Sequence, residues 1–222
     1  MCNRYENEKP AWAWSEIISM PLRVTDEAKA WEPHEYMAPQ TDGLCIVMQG
    51  DEWTLRTAHW SFLMHKPAPR ITRGMSADDV AAIKAKPLPK PGALFNARSD
   101  RSPKHLLPRA YQHESGTSPK GLAKTWLASG LQFCWMPATA WLECPSPKTW
   151  IRMHLSGEPF LLAGICGVAD GKFRMAMTMT ETPEGLSAIR AGHTRMPLAF
   201  GVDAVGQEAP RPLHERIEVS PV

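Results

Sequence analysis

Two neighbouring runs, the continuously apolar LCIVMQ and the mixed apolar-polar EWTLRTAHW, have strand character on either side of Gly50-Asp51. The spacing predicts a β-hairpin whose second strand ends at Trp60. Similar runs return after residue 130: QFCWMPATAWLEC, TWIRMHL and PFLLAGICGVADGKFRMAMTMT read as strands, the last folding back at Asp170-Gly171. Helical signals are short and fall between the strands. Thr25 is placed to cap DEAKAW, which Pro33 stops, and Ser76 and Asp79 have capping-box spacing at the head of a helix over 76–86. Ser118, Pro119 and Gly130 bracket SPKGLAKTWLASG as a further helix, and Thr182-Pro183-Glu184 opens another that ends at Gly192. The proline-rich KPLPKPG, residues 86–92, suits neither a central strand nor a helix interior. It reads as a stiff connector delivering FNARSD, in which an extended backbone points Asn96 and Arg98 to one side. HERIEV is expected to add a last edge strand. Strands outnumber helices and no repeat is present, so the expectation is an α+β fold. It is a single domain over residues 1–222, with a strongly curved, barrel-like mixed sheet and short peripheral helices.

Composition narrows the function classes. The formal net charge of +2 is too small to mark a nucleic-acid footprint by itself, so any basic surface must come from local placement. Nine tryptophans against six phenylalanines imply either a core of large rings with polar edges or a few rings left exposed to stack on a ligand or base; both readings stand for Trp60. The five cysteines, at 2, 45, 134, 144 and 166, form no CxxC and no secretory pairing, which favours free thiols in a reducing compartment. The start is polar and broken by Pro10, and no apolar run reaches membrane-spanning length. A soluble intracellular protein is therefore expected.

Several enzyme templates are absent: GxSxG, GxGxxG, a Walker A loop, HExxH and the paired-cysteine deaminase signature. The eight histidines show no metal-ligand spacing, and neither a metal nor another cofactor is expected. What remains is a dispersed polar set. Once Met1 is removed, Cys2 carries an α-amine and a thiol, with reference pKa values of about 8 and 8.5, so both are nucleophiles near neutrality. An aldehyde can condense with the amine and then be captured by the thiol in a five-membered thiazolidine. No internal cysteine can do this, because its nitrogen is in a peptide bond. Glu143 sits in the apolar context ATAWLEC, where it is either a buried acid able to exchange protons or half of a structural ion pair. His193 follows a helix end and reads as a capping or core histidine or as a proton-transfer group, with Arg195 two residues on as an anion-binding neighbour.

Taken in order, these blocks resemble the SOS response-associated peptidase (SRAP) family. MCNRY resembles its Met-Cys-Gly-Arg start, APQT at 38–41 its APxQ segment, and WSFL, beginning at Trp60, its WGL-type motif. NARSD at 96–100 resembles NARSE, and FCWMPATAWLEC places the family glutamate on Glu143. LLAGICG resembles its FAGLW segment, Thr178 falls on the threonine of the following strand, and HTRMP at 193–197 matches HxRMP. The resemblance spans residue 2 to about residue 200.

The resemblance implies covalent capture of abasic sites in single-stranded DNA through an N-terminal cysteine, shielding the lesion during the DNA damage response, with lyase-like Schiff-base chemistry and thiol autopeptidase activity on Met1. Cys2, Asn96, Glu143 and His193 would form the catalytic set. Arg4, Arg98 and Arg195 would hold phosphates, with Trp60 filling the space of the absent base and Thr178 completing the DNA-binding set. The implied partner is single-stranded abasic DNA, bound by a monomer without a membrane, in the cytoplasm or on the nucleoid of a bacterial or phage-like context. A non-covalent single-stranded DNA-binding module and a thiol autopeptidase are the alternatives. Asn3 stands where the family has glycine, Asp100 where it has glutamate, and Trp141, Leu142 and Cys144 alter the surroundings of Glu143.

Overall fold

The computed structural model describes residues 4–64, 74–85, 92–94, 96–98, 130–146, 149–169, 171–181 and 195–222. The chain opens with β1 (Arg4–Asn7), α1 (Ala11–Ile17), β2 (Arg23–Val24), α2 (Asp26–Lys29) and β3 (His34–Met37). The hairpin follows as β4 (Asp42–Gln49) and β5 (Glu52–Trp60), then β6 (Phe62–Met64), α3 (Ala77–Ala85), β7 (Gly92–Leu94) and β8 (Asn96–Arg98). After residue 130 come β9 (Gln132–Ala138), β10 (Ala140–Ser146), β11 (Thr149–His154), β12 (Phe160–Ala169) and β13 (Lys172–Glu181). The last strands are β14 (Arg195–Pro197), β15 (Ala199–Phe200) and β16 (Glu218–Pro221).

Five of these strands close on themselves. β5, β4, β9, β12 and β13 are antiparallel neighbours in that order, and β13 returns to β5 in parallel, with Arg174 beside His59 and Met175 beside Trp60. This is a barrel-like mixed sheet, and with the short helices around it the molecule is a single α+β domain. A second sheet, ordered β16-β11-β10-β1-β3, shares a single apolar core with the barrel, in which Tyr5, Met37, Trp141 and Met153 join Leu44, Trp135, Leu161 and Met175. Closure removes the exposed edges that an open sheet would present.

Local chemistry explains the elements. Gly50 takes φ 64° at the β4–β5 turn, a left-handed conformation that costs glycine nothing. Thr25 caps α2 as expected, its Oγ1 accepting from Ala28 N at 3.3 Å, although the helix is one turn long. Ser76 supplies the cap half of the expected box: Asp79 N donates to Ser76 Oγ at 3.1 Å, while the Asp79 carboxylate accepts from the Ser76 hydroxyl at 2.7 Å. Two boundaries differ from expectation. AWAW, for which no element is expected, forms α1, held because Pro10 O accepts from both Ala13 and Trp14 N and because Trp14 Nε1 donates to buried Asn7 Oδ1 at 2.9 Å. HERIEV splits: His214–Arg216 is a 3₁₀ turn, and the edge strand beside β11 is Glu218–Pro221. The helices expected over 118–130 and 182–192 lie outside the described residues apart from Gly130, as does residues 86–91 of the proline-rich connector. Among the described residues no helix is long and apolar enough to cross a membrane.

Candidate functional site

The expected residues that the structure describes fall in two groups: Arg4 and Glu143 on β1 and β10 of the second sheet, and Asn96, Arg98 and Arg195 on β8 and β14 beside β13 of the barrel sheet. β1 pairs with β10 so that Arg4 lies opposite Leu142 and Tyr5 opposite Trp141. Side chains two apart along a strand share a face. Glu143 therefore projects from β10 on the same face as Trp141 and Tyr5, and it is fully buried. Tyr5 carries that face onto the barrel: its ring meets Trp60 edge to face, with centroids 5.0 Å apart. Gly43 on β4 makes room for it, since a Cβ there would lie 2.5 Å from the Tyr5 hydroxyl oxygen and 3.0 Å from the end methyls of Met37 and Met175.

The second group lies along β13. Met177 pairs with Asn96, Thr178 with Ala97 and Met179 with Arg98 on β8, while Glu181 pairs with Arg195 on β14. By the same alternation Asn96 and Arg195 share the β13 face that carries Met175, Met177 and Met179, and Trp60 joins that face through its pairing with Met175. The segment expected to be extended is strand β8. Asn96 and Arg195 are half-buried. Arg4 is exposed, and its guanidinium lies over the Trp150 ring at 4.5 Å from the centroid.

Two expected DNA contacts occupy different environments from those an open groove would give. Trp60 is fully buried, because the hairpin ends beneath Tyr5 instead of at an open rim. Thr178 is also fully buried, and its hydroxyl has no hydrogen-bond partner among the described residues. Cys2, Asn3, Asp100 and His193 lie outside the described residues. Sequence reasoning did not single out Tyr5, Trp150 or Gln40. Gln40 adopts φ 72°, unusual for a residue other than glycine, and its N–H donates to Trp60 O at 2.9 Å while Trp60 N donates to Thr41 O at 2.9 Å. The APQT block was the available signal for that clamp, and MCNRY was the signal for Tyr5.

The barrel also gathers three thiols. Cys45 on β4, Cys134 on β9 and Cys166 on β12 are buried, with their Sγ atoms all within 4.8 Å of one another. Burial pushes the Cys134 and Cys166 thiols well up, whereas hydrogen bonds from Cys134 and then Cys166 hold Cys45 well below the ordinary thiol range. Strand pairing creates this group, and no spacing in the sequence announces it.

No protein-family model matches the chain. No curated protein matches it either. Among solved structures it is similar to a structural-genomics protein from Bacteroides thetaiotaomicron, with a TM-score of 0.57 at 13% identity over 100% of this chain and 92% of that one. At that identity the likeness concerns the fold.

Proposed function

We propose that the chain captures abasic sites in single-stranded DNA covalently through Cys2. The observation that carries this reading is the course of β1. Arg4 is opposite the neighbour of a fully buried Glu143, and two residues of extended chain, about 7 Å at most, separate Arg4 from Cys2. In this reading an amine and a thiol on one residue work beside a carboxyl group sheltered from water.

The opened deoxyribose of an abasic site presents an aldehyde. The Cys2 amine adds to its carbon, the oxygen leaves as water, and the thiolate sulfur adds to the resulting iminium carbon. The carbon ends with one C–N and one C–S bond in a thiazolidine, and no oxidant or reductant is consumed. Glu143 moves protons, accepting one from the attacking amine and returning one to the departing hydroxyl. Asn96 orients the sugar or the terminal amine from the β13 side, and His193 assists ring opening. Arg4, Arg98 and Arg195 hold the flanking phosphates, an attraction that weakens with salt. Trp60 serves from beneath Tyr5, fixing the floor of the site, and Thr178 acts from within the wall. The setting is the cytoplasm or the nucleoid.

The test is incubation of the purified chain with single-stranded abasic DNA followed by denaturing electrophoresis. A band lost on denaturation would indicate a non-covalent DNA-binding module instead. Loss of Met1 without DNA attachment would indicate an autopeptidase.

A further inference from the structure

We infer that Cys45, Cys134 and Cys166 form a binding site inside the barrel for a soft monovalent metal ion, copper(I). Buried cysteines ordinarily pack as small apolar side chains. Three features set this group apart. First, the sulfurs come from three adjacent strands, β4, β9 and β12, and converge to within 4.8 Å of one another. An ion at the centre of three sulfurs, with metal–sulfur bonds of about 2.3 Å, needs sulfur separations of about 4.0 Å, so modest side-chain rotation completes the triangle. Second, Gly164 leaves out a side chain where the sulfurs gather. A Cβ there would lie 3.1 Å from both Cys134 Sγ and Met136 Sδ, which puts a thioether beside the thiols. Third, Arg56 lies directly opposite Cys45 in the β4–β5 register, its guanidinium 3.8 Å from the Phe173 ring centroid.

The donor set selects the ion. Thiols and thioethers favour copper(I), whereas zinc prefers four ligands in a tetrahedron. Among the described residues no histidine, aspartate or glutamate joins the three cysteines. On binding, two S–H bonds break and their protons pass to buffer, two sulfur–copper bonds form from the thiolates, and the third sulfur coordinates through a lone pair while keeping its proton. Copper stays monovalent and no electron moves. The complex carries one net negative charge, which the Arg56 guanidinium offsets.

The test uses the reduced full-length chain under anaerobic conditions. It is given one equivalent of copper(I) as the acetonitrile complex, both as folded protein and during refolding from denaturant, and is then desalted against the chelator bicinchoninate. The parent, Cys2→Ser and Cys144→Ser should each retain about one copper per chain, with X-ray absorption showing three sulfur neighbours at about 2.3 Å. Cys45→Ser and Cys166→Ser should lose more than the roughly 10–100-fold in affinity that follows loss of an outer-sphere partner. Complete removal of copper from the parent by the chelator would overturn the site. So would retention unaffected by Cys166→Ser, loss caused by Cys2→Ser, or nitrogen or oxygen neighbours in the absorption spectrum. If the cluster variants do not fold, the chelator challenge and the absorption spectrum of the parent decide the question.

Discussion

Arg152→Met removes the partner of an acid that the fold has buried. Glu6, in β1, is 4% exposed, and Arg152 on β11 grips it with Nε at 2.9 and 3.0 Å from the two carboxylate oxygens and Nη2 at 2.6 Å from Oε2. Breaking a fully buried pair from one side costs about 3–5 kcal/mol, because a charge is left without compensation. The Arg152 side chain is 33% exposed, so water can reach the orphaned carboxylate, and the expected loss falls to about 2–3 kcal/mol. For a domain of this size that corresponds to a fall in Tm of roughly 5–10 °C. Urea unfolding with linear extrapolation measures it. Glu6→Gln combined with Arg152→Met leaves no buried charge and should recover most of the loss, giving a coupling of about 1.5–2 kcal/mol in the double-mutant cycle. A single variant within about 0.5 kcal/mol of the parent, or strictly additive single effects, would refute the reasoning that this pair anchors β1.

Three further changes probe the site and the fold. Glu143→Gln should fold while slowing adduct formation or reversal by about 10²–10⁴-fold, and loss of the folded state by circular dichroism would instead mark Glu143 as structural. Gly43→Ala places a Cβ against the Tyr5 hydroxyl and should cost about 1–3 kcal/mol in urea unfolding; Tyr5→Phe in the same background should restore part of it, and no recovery would place the strain elsewhere. Burial lowers the His214 pKa to about 4, so above about pH 6.5 the folded and unfolded chains are both neutral there. As pH falls from 6.5 towards 4 the unfolded chain takes up the proton first, and stability declines by up to about 3 kcal/mol. His214→Gln should flatten that part of the urea midpoint against pH, and an unchanged slope would exclude His214 as its source.

Legibility followed locality. The β4–β5 hairpin could be read because its apolar runs bracket Gly50-Asp51, and the Ser76 cap because four residues suffice to define it. The barrel-like sheet was expected, but not which strands close it, since the parallel contact of Met175 with Trp60 joins residues far apart in sequence and leaves no periodic trace. The same holds for Cys45, Cys134 and Cys166, whose meeting depends on strand order alone. At the candidate site, motif positions identified Asn96 and Glu143, but only register shows which faces they share. Trp60 illustrates the limit: sequence located the end of its strand, whereas its burial depends on β1, a four-residue strand too short to signal itself.

Cys2 provides the most direct test of the proposed capture. Intact mass first establishes whether Met1 is absent, and the protein is then exposed to single-stranded abasic DNA, resolved by denaturing electrophoresis and mapped by mass spectrometry. The predicted result is a DNA-linked band whose remnant lies on residue 2. It should be lost in Cys2→Ala, strongly reduced in Cys2→Ser, and lost when one residue is added before Cys2 so that its amine becomes an amide. An undiminished stable adduct in a form that retains Met1, or a DNA remnant on any other residue, would contradict capture by the N-terminal aminothiol.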